Sequence, residues 1–221
     1  MAGSTSAPLE GFFFDLDGTL TDSQAGIVQC FRAALESLGV TDLDDRALQS
    51  HIGAPLPEML AAFRTGLGED EVARGIAAYR AAYEHAGIFE NALYPGVREM
   101  LMRVRGSGRP AWIVTTKPER YAERVVDILD IRDLLAGVIG PGLEEHDTKA
   151  KLVRRALQAS AVGPEAAVML GDRHYDVAGA LDNGVRPVGA LWGYGAREEL
   201  RAAGCRDFAH SADDFTRRYI A

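Results

Sequence analysis

Gly11-Phe12-Phe13-Phe14-Asp15-Leu16-Asp17-Gly18-Thr19-Leu20-Thr21-Asp22 is the stretch from which the rest of the chain can be read. An apolar run ends in two carboxylates, two positions apart, and glycine follows at once. Residues i and i+2 of a strand share a face. At the carboxyl end of a strand, where the chain turns, Asp15 and Asp17 can therefore meet in the mouth of a fold. Two like charges that close repel unless a cation or a proton intervenes. A hard divalent cation with oxygen ligands is the simplest partner, and Mg²⁺ suits such a site when a phosphate completes its shell.

Five apolar segments read as buried parallel strands: residues 11–15, 111–115, 137–140, 167–171 and 186–190. Helical patterns lie between the later ones. Residues 119–129 carry Tyr121, Ala122, Val125, Val126, Ile128 and Leu129, with Pro118 placed like a first-turn proline. Residues 149–159 carry Leu152, Val153, Ala156 and Leu157, and the short pattern 176–183 ends at Gly184 as a C-cap. Strands alternating with helices predict an open α/β sheet. The interval from Asp22 to Tyr94 differs, with helical spacing and no convincing strand: Ile27, Phe31, Leu35 and Leu38, then Met59, Leu60 and Phe63, then Ile76, Tyr79 and Tyr83. It reads as an α-helical cap domain over residues 22–91, inserted into a core of residues 1–21 and 92–221, with Pro95-Gly96 marking the return. A cap in that place would exclude water and select substrates.

In an open α/β sheet, ligands bind outside the carboxyl ends of the strands. The first strand here ends at Asp15, the second in Thr115-Thr116-Lys117, the fourth in Gly171-Asp172 with Asp176 four residues on. Lys149 opens the helix before the fourth strand. Each has an ordinary use by itself: a threonine in a turn or cap, a lysine in solvent, an aspartate as an N-cap. Together, in this order and at one sheet edge, they form a candidate set.

That order resembles the four motifs of the haloacid-dehalogenase-like phosphohydrolases. Asp15 to Asp22 match the first, DxDGT[LV]xD; Thr115 matches the second and Lys149 the third, with Lys151 a nearby rival. Gly171-Asp172-Arg173-His174-Tyr175-Asp176 matches the GDxxxD form of the fourth. The resemblance runs from about residue 9 to 200. Tyr94-Pro95-Gly96-Val97, Val114-Thr115-Thr116-Lys117-Pro118 and Leu191-Trp192-Gly193-Tyr194-Gly195 are similar to the phosphoglycolate phosphatase and 5′-nucleotidase branch. One departure is Thr116, where the branch usually has Asn.

The resemblance implies a Rossmann-like parallel-sheet core with an inserted helical cap, and Mg²⁺-dependent hydrolysis of a small phosphomonoester through an aspartyl-phosphate. It implies Asp15 as nucleophile, Asp17 as general acid and base, and Lys149 holding the nucleophile and a phosphoryl oxygen. Thr115, Thr116 and backbone N–H groups would bind phosphate. The metal ligands would be Asp15, Asp172, the backbone carbonyl of Asp17, and Asp176 through water; a plain helix-start carboxylate is the alternative for Asp176. Phosphoglycolate is the favoured substrate and a nucleoside 5′-monophosphate the runner-up.

The totals bound the remaining choices. A net charge of −8 over 221 residues argues against a nucleic-acid polymer as partner. Positive potential for an anionic substrate must then be local: a metal, a lysine, or helix N-termini. Two distant cysteines, Cys30 and Cys205, give no disulfide framework. Residues 1–8 lack the basic and apolar regions of a signal peptide, and no apolar run approaches the ~18 residues of a membrane span. The expectation is a cytoplasmic monomer or homodimer that acts on a small phosphorylated metabolite, away from membranes.

Rival readings are a phosphoryl-receiver domain, for which Asp17 has no use; a dehalogenase, which needs no acid for its leaving group; a sugar-phosphate mutase; and a binding module on an inactive scaffold. Neither GxxxxGK[ST] nor GxGxxG occurs. Within the cap, His51, Arg64, Arg80 and His85 are candidate contacts to a leaving group, and Tyr79, Tyr83 and Phe89 a candidate platform for a base. Trp192 and Tyr194 could line the mouth, with core packing the alternative for Trp192. His174 and His146 read as exposed loop residues, since no second His or Cys stands at zinc-like spacing.

Overall fold

The computed structural model describes residues 8–143 and 147–220; His146 lies outside them. In chain order the elements are β1 (Gly11–Phe14), β2 (Thr21–Asp22), α1 (Gln24–Ser37), α2 (Asp45–Ser50), α3 (Leu56–Phe63), α4 (Glu69–His85), β3 (Ala92–Leu93), α5 (Val97–Gly106) and β4 (Ala111–Val114). Then follow α6 (Glu119–Ile128), β5 (Gly137–Ile139), α7 (Lys149–Ser160), β6 (Ala167–Gly171), α8 (His174–Leu181), β7 (Arg186–Ala190), α9 (Arg197–Ala202), β8 (Phe208–Ala209) and α10 (Ala212–Tyr219). The chain forms two compact units, residues 1–20 with 93–221 and residues 21–92.

The larger unit is a six-stranded sheet in the order β5-β4-β1-β6-β7-β8, every neighbouring pair parallel. β1 can be continuously apolar because both its faces are covered. Phe12, Phe13 and Phe14 are all fully buried. On one face Phe12 and Phe14 meet Phe215 of α10 edge-on, with ring centroids 6.3 and 5.9 Å apart. On the other, Phe13 packs with Val114, Met169, Leu152, Val153, Ala156 and Ala180. Counted along this unit alone, the strand order is third-second-first-fourth-fifth-sixth, so the order reverses beside β1. A crevice opens at such a switch point, at the carboxyl ends of the strands.

All five expected strands are present, and β8 is a sixth. It has two residues, too few to show a period. α5, α9 and α10 also went unread. Pro118 stands one position earlier than expected, as the N-cap of α6. Gly184, at φ +71°, closes α8 as expected: its N–H donates to Leu181 O, and that of Val185 to Ala180 O.

The smaller unit is helical. Ile27, Phe31 and Leu35 are buried along α1 and Leu38 at its C-cap, and α1 packs chiefly on α4. Phe31 meets Phe63 of α3 edge-on at 5.2 Å. Asp44, which showed no periodic signal, starts α2 by accepting the Ala47 N–H. β2 and β3 pair as a two-stranded ribbon. Cys30 and Cys205 are buried, reduced thiols. Among the described residues no helix is long and apolar enough to cross a membrane.

Candidate active site

β1 ends one residue before Asp15, whose N–H still donates to Leu170 O of β6 at 2.9 Å. The chain then turns tightly, with Leu20 N–H returning to Leu16 O at 2.9 Å. Gly18 makes the turn at φ +84°, and a Cβ there would collide with the Asp172 carboxylate. This backbone brings the first motif against the end of β6.

Asp15, Asp172 and Asp176 are all buried, and one carboxylate oxygen from each lies within 4.8 Å of the others. Asp172 is fixed at both oxygens: Thr19 Oγ1 donates to Oδ1 at 2.9 Å and Tyr194 N–H to Oδ2 at 2.9 Å. Trp192 Nε1 in turn donates to Thr19 O at 2.9 Å, so the 191–195 loop braces this aspartate. Asp176 is the third residue of α8. Its Oδ2 accepts the Arg173 N–H at 3.0 Å, as a helix-start carboxylate does, while Oδ1 faces the cluster. The helix-start bond and the place in the acidic cluster therefore belong to one side chain.

Lys149 supplies the compensating charge. Its Nζ donates to Asp15 Oδ1 at 2.7 Å and Val114 O at 2.9 Å, and lies 2.8 Å from Asp176 Oδ1. Two hydrogen-bond acceptors and a second carboxylate thus surround the ammonium. A cation at a helix N-terminus opposes the dipole, so these partners, and not α7, hold it there. Lys151 is exposed and pairs with Asp147 at 3.5 Å.

The electrostatics follow from burial. Burial first, then Asp176, push the Asp15 carboxyl up to about 6 against the pull of Lys149. Burial, Asp15 and Asp176 push Asp172 up to about 8, despite the hydrogen bonds from Tyr194 and Thr19. For Lys149, burial opposes the charge, but Asp15 and Asp176 more than offset it and its pKa rises. Three buried carboxylates with one lysine are short of positive charge. Their donor set is all oxygen and anionic, which fits a hard divalent cation.

A stability prediction follows. Without a cation the folded protein keeps protons on Asp15 and Asp172 that the unfolded chain releases near 3.8. The folded state binds more protons, so stability should fall as pH rises from about 4 to about 8. Melting temperatures in EDTA should drop across that window, and Mg²⁺ should narrow the drop. An equal drop with and without Mg²⁺ would contradict a cation at this cluster.

The Asp17 carboxylate is not part of the cluster. Its Oδ1 accepts from Lys117 Nζ at 2.7 Å. Thr115 is buried at the end of β4, and its Oγ1 accepts the Lys117 N–H at 3.2 Å. Thr116 follows, partly exposed. His174 is not a loop residue: it opens α8, half-exposed, and its ring Nδ1 lies 2.7 Å from Glu199 Oε1. The same oxygen accepts Arg173 Nε–H at 2.9 Å and the His174 N–H at 3.0 Å. Burial opposes the charge on Glu199, but these bonds outweigh it and hold its pKa low. Lys117 and Glu199 both escaped the sequence reading as partners of the motif loops.

In the smaller unit, His51 Nδ1 lies 2.9 Å from Ala47 O. Arg64 donates to Leu38 O and pairs with Glu71 at 2.8 Å. Tyr79 stacks on Tyr83 at 6.1 Å, with Tyr83 buried; Arg80 is partly exposed, and His85 and Phe89 are exposed.

Comparison with known proteins agrees with this geometry. The family model described as haloacid dehalogenase-like hydrolase matches residues 12–190. The chain belongs to this family. Within it, a 5′-nucleotidase of Pseudomonas aeruginosa is 34% identical over 192 residues, 86% of each chain. The tyrosine-protein kinase PtkA of Mycobacterium tuberculosis is 36% identical over 203 residues, 90% of this chain and 68% of that one. A phosphoglycolate phosphatase of Chromobacterium violaceum is 29% identical over 86% of this chain and 88% of its own. Among solved structures, a haloacid dehalogenase-like hydrolase of Streptococcus pneumoniae superposes with a TM-score of 0.85 at 31% identity, covering 95% of this chain and 97% of that one. The Asp15–Lys149 pair, Thr115 and the Asp172–Asp176 loop all fall inside the matched span.

Proposed function

We propose that this hydrolase is a Mg²⁺-dependent phosphomonoesterase working through an aspartyl-phosphate on Asp15. The observation that carries the reading is a buried Asp15 at the sheet's switch point, 2.7 Å from Lys149, beside Asp172 and Asp176. Asp15, Asp172, Asp176 and the Asp17 carbonyl would hold Mg²⁺, which when bound neutralises charge between nucleophile and phosphate.

The chain's own residues then divide the work. A carboxylate oxygen of Asp15 forms a bond to phosphorus as the ester P–O bond breaks. Lys149 keeps Asp15 oriented and offsets charge on a phosphoryl oxygen. Thr115 accepts from Lys117 N–H and keeps its own O–H to donate to phosphate, with Thr116 and the N–H groups after Asp15 binding the other oxygens. Asp17 gives its proton to the leaving oxygen, then takes one from the water that cleaves the aspartyl-phosphate. Residues 22–91 act as a cap that selects the leaving group.

Phosphoglycolate is the first substrate reading. A nucleoside 5′-monophosphate is the second, supported by the 34% identity to a 5′-nucleotidase. The test is phosphate release from phosphoglycolate, nucleoside 5′-monophosphates, sugar phosphates and an aryl phosphate, with Mg²⁺ and with EDTA. Mg²⁺-dependent release is the expected result, and the best substrate defines what the cap selects. An arm with ATP and a tyrosine peptide addresses the kinase-named relative: phosphotyrosine without phosphate release would overturn the hydrolytic reading. Asp17→Asn should lower turnover ~10²–10⁴-fold, the range for a general acid–base. A loss below tenfold would mean another group moves the proton.

A further inference from the structure

Each aspartate of the turn after β1 has a lysine of its own, drawn from a different element. Asp15 pairs with Lys149 of α7, and Asp17 with Lys117 just beyond β4, both at 2.7 Å. The second pair is sheltered, with side-chain exposures of 8% for Lys117 and 15% for Asp17. Its attraction is therefore less screened than that of a surface pair. A lysine also gives up much rotamer freedom when pinned. Here the chain is already folded toward Asp17, because Thr115 Oγ1 accepts the Lys117 N–H at 3.2 Å and turns the backbone at the strand end.

We infer that Lys117 is a positioning residue for Asp17, holding its carboxylate in line with the leaving oxygen. The inference rests on the proposed role of Asp17 in phosphomonoester hydrolysis. Asp17 stands beyond the last residue of β1, at a single bridge position just before the turn at Gly18, where backbone pairing leaves its side chain to be held by other means. Among the described residues only Oδ1 is engaged, which leaves Oδ2 to meet the substrate. Lys117 takes part in no bond making. In the first half-reaction the proton of Asp17 passes to the leaving oxygen as that oxygen's bond to phosphorus breaks and the Asp15–phosphorus bond forms. In the second, water oxygen bonds to phosphorus, the Asp15–phosphorus bond breaks, and the water's proton returns to Asp17. Both transfers need the same carboxylate in the same place, and a fixed cation at Oδ1 provides that constancy.

The test is a double-mutant cycle with two leaving groups. Wild type, Lys117→Met, Lys117→Arg, Asp17→Asn and Asp17→Asn/Lys117→Met are assayed on an alkyl phosphate and on an aryl phosphate, and circular dichroism checks each fold. Lys117→Met should lower kcat on the alkyl ester ~10–100-fold, the scale of a displaced catalytic group, with KM little changed. The loss should shrink for formation of the phospho-enzyme from the aryl ester, whose leaving group needs no proton. It should vanish in the Asp17→Asn background, because the two residues act as one unit. Lys117→Arg, which retains the charge, should recover part of the rate. An equal loss in both backgrounds, or in phospho-enzyme formation from both leaving groups, would make Lys117 merely structural and overturn the inference. Full activity of Lys117→Met beside a crippled Asp17→Asn would overturn the inference alone. No turnover by wild type, or none lost in Asp17→Asn, would overturn the underlying reading and the inference with it.

Discussion

Asp15→Asn should give a folded protein without measurable turnover. An amide oxygen does not attack phosphorus as a carboxylate does, so the loss should reach about 10⁴-fold or more. The fold should survive because the substitution keeps the shape of the side chain. The new carbonyl can still accept the Lys149 bond that Asp15 Oδ1 now accepts. It also removes a charge that burial and Asp176 both disfavour. Without a divalent cation, the melting temperature should therefore match or exceed that of wild type. Phosphate release on the best substrate and a thermal melt in EDTA check the two halves separately. More than a tenth of wild-type activity in a folded variant would remove Asp15 as nucleophile.

The architecture was legible wherever a segment is long and buried on both faces. β1, β4 and β6 announced themselves as apolar runs because helices cover the sheet on either side. Asp15 and Asp172 could be placed at one edge because parallel strands all end on the same side. The choice between Lys149 and Lys151 is also carried by helical phase: Lys149, Leu152, Val153 and Ala156 form the buried stripe of α7, and Lys151 lies off it.

What stayed illegible depends on tertiary distance or on very short elements. β8, with two residues, has no period to detect. Lys117 lies 100 residues from Asp17 in sequence, and no local pattern connects them. Glu199 is an unremarkable acid in the first turn of a six-residue helix until the fold brings it to Arg173 and His174. Long-range polar contacts of this kind set the geometry of a site, and a single sequence carries no periodic trace of them.

Lys149→Met separates the stabilising role of this lysine from its chemical one. Removing one partner of a buried ion pair strands the other charge and costs about 3–5 kcal/mol. Lys149 and Asp176 are 4% and 2% exposed at their side chains, so solvent does little to soften that loss. For a chain of 221 residues the melting temperature should fall on the order of 10 °C. The fall should be steepest toward alkaline pH. Without the lysine, Asp15 loses the cation that pulls its pKa down, its carboxyl is pushed further up, and the folded state holds still more protons than the unfolded chain. Turnover should drop at least ~10²–10³-fold, the cost of removing one preorganised donor from developing charge. Mg²⁺ should then recover much of the lost stability, since a cation among the carboxylates replaces missing positive charge. It should not recover turnover, because the bond that orients Asp15 Oδ1 came from Lys149 alone among the described contacts. Recovery of both together would reduce Lys149 to a counter-ion; recovery of neither would mean that the carboxylates do not bind a cation without it.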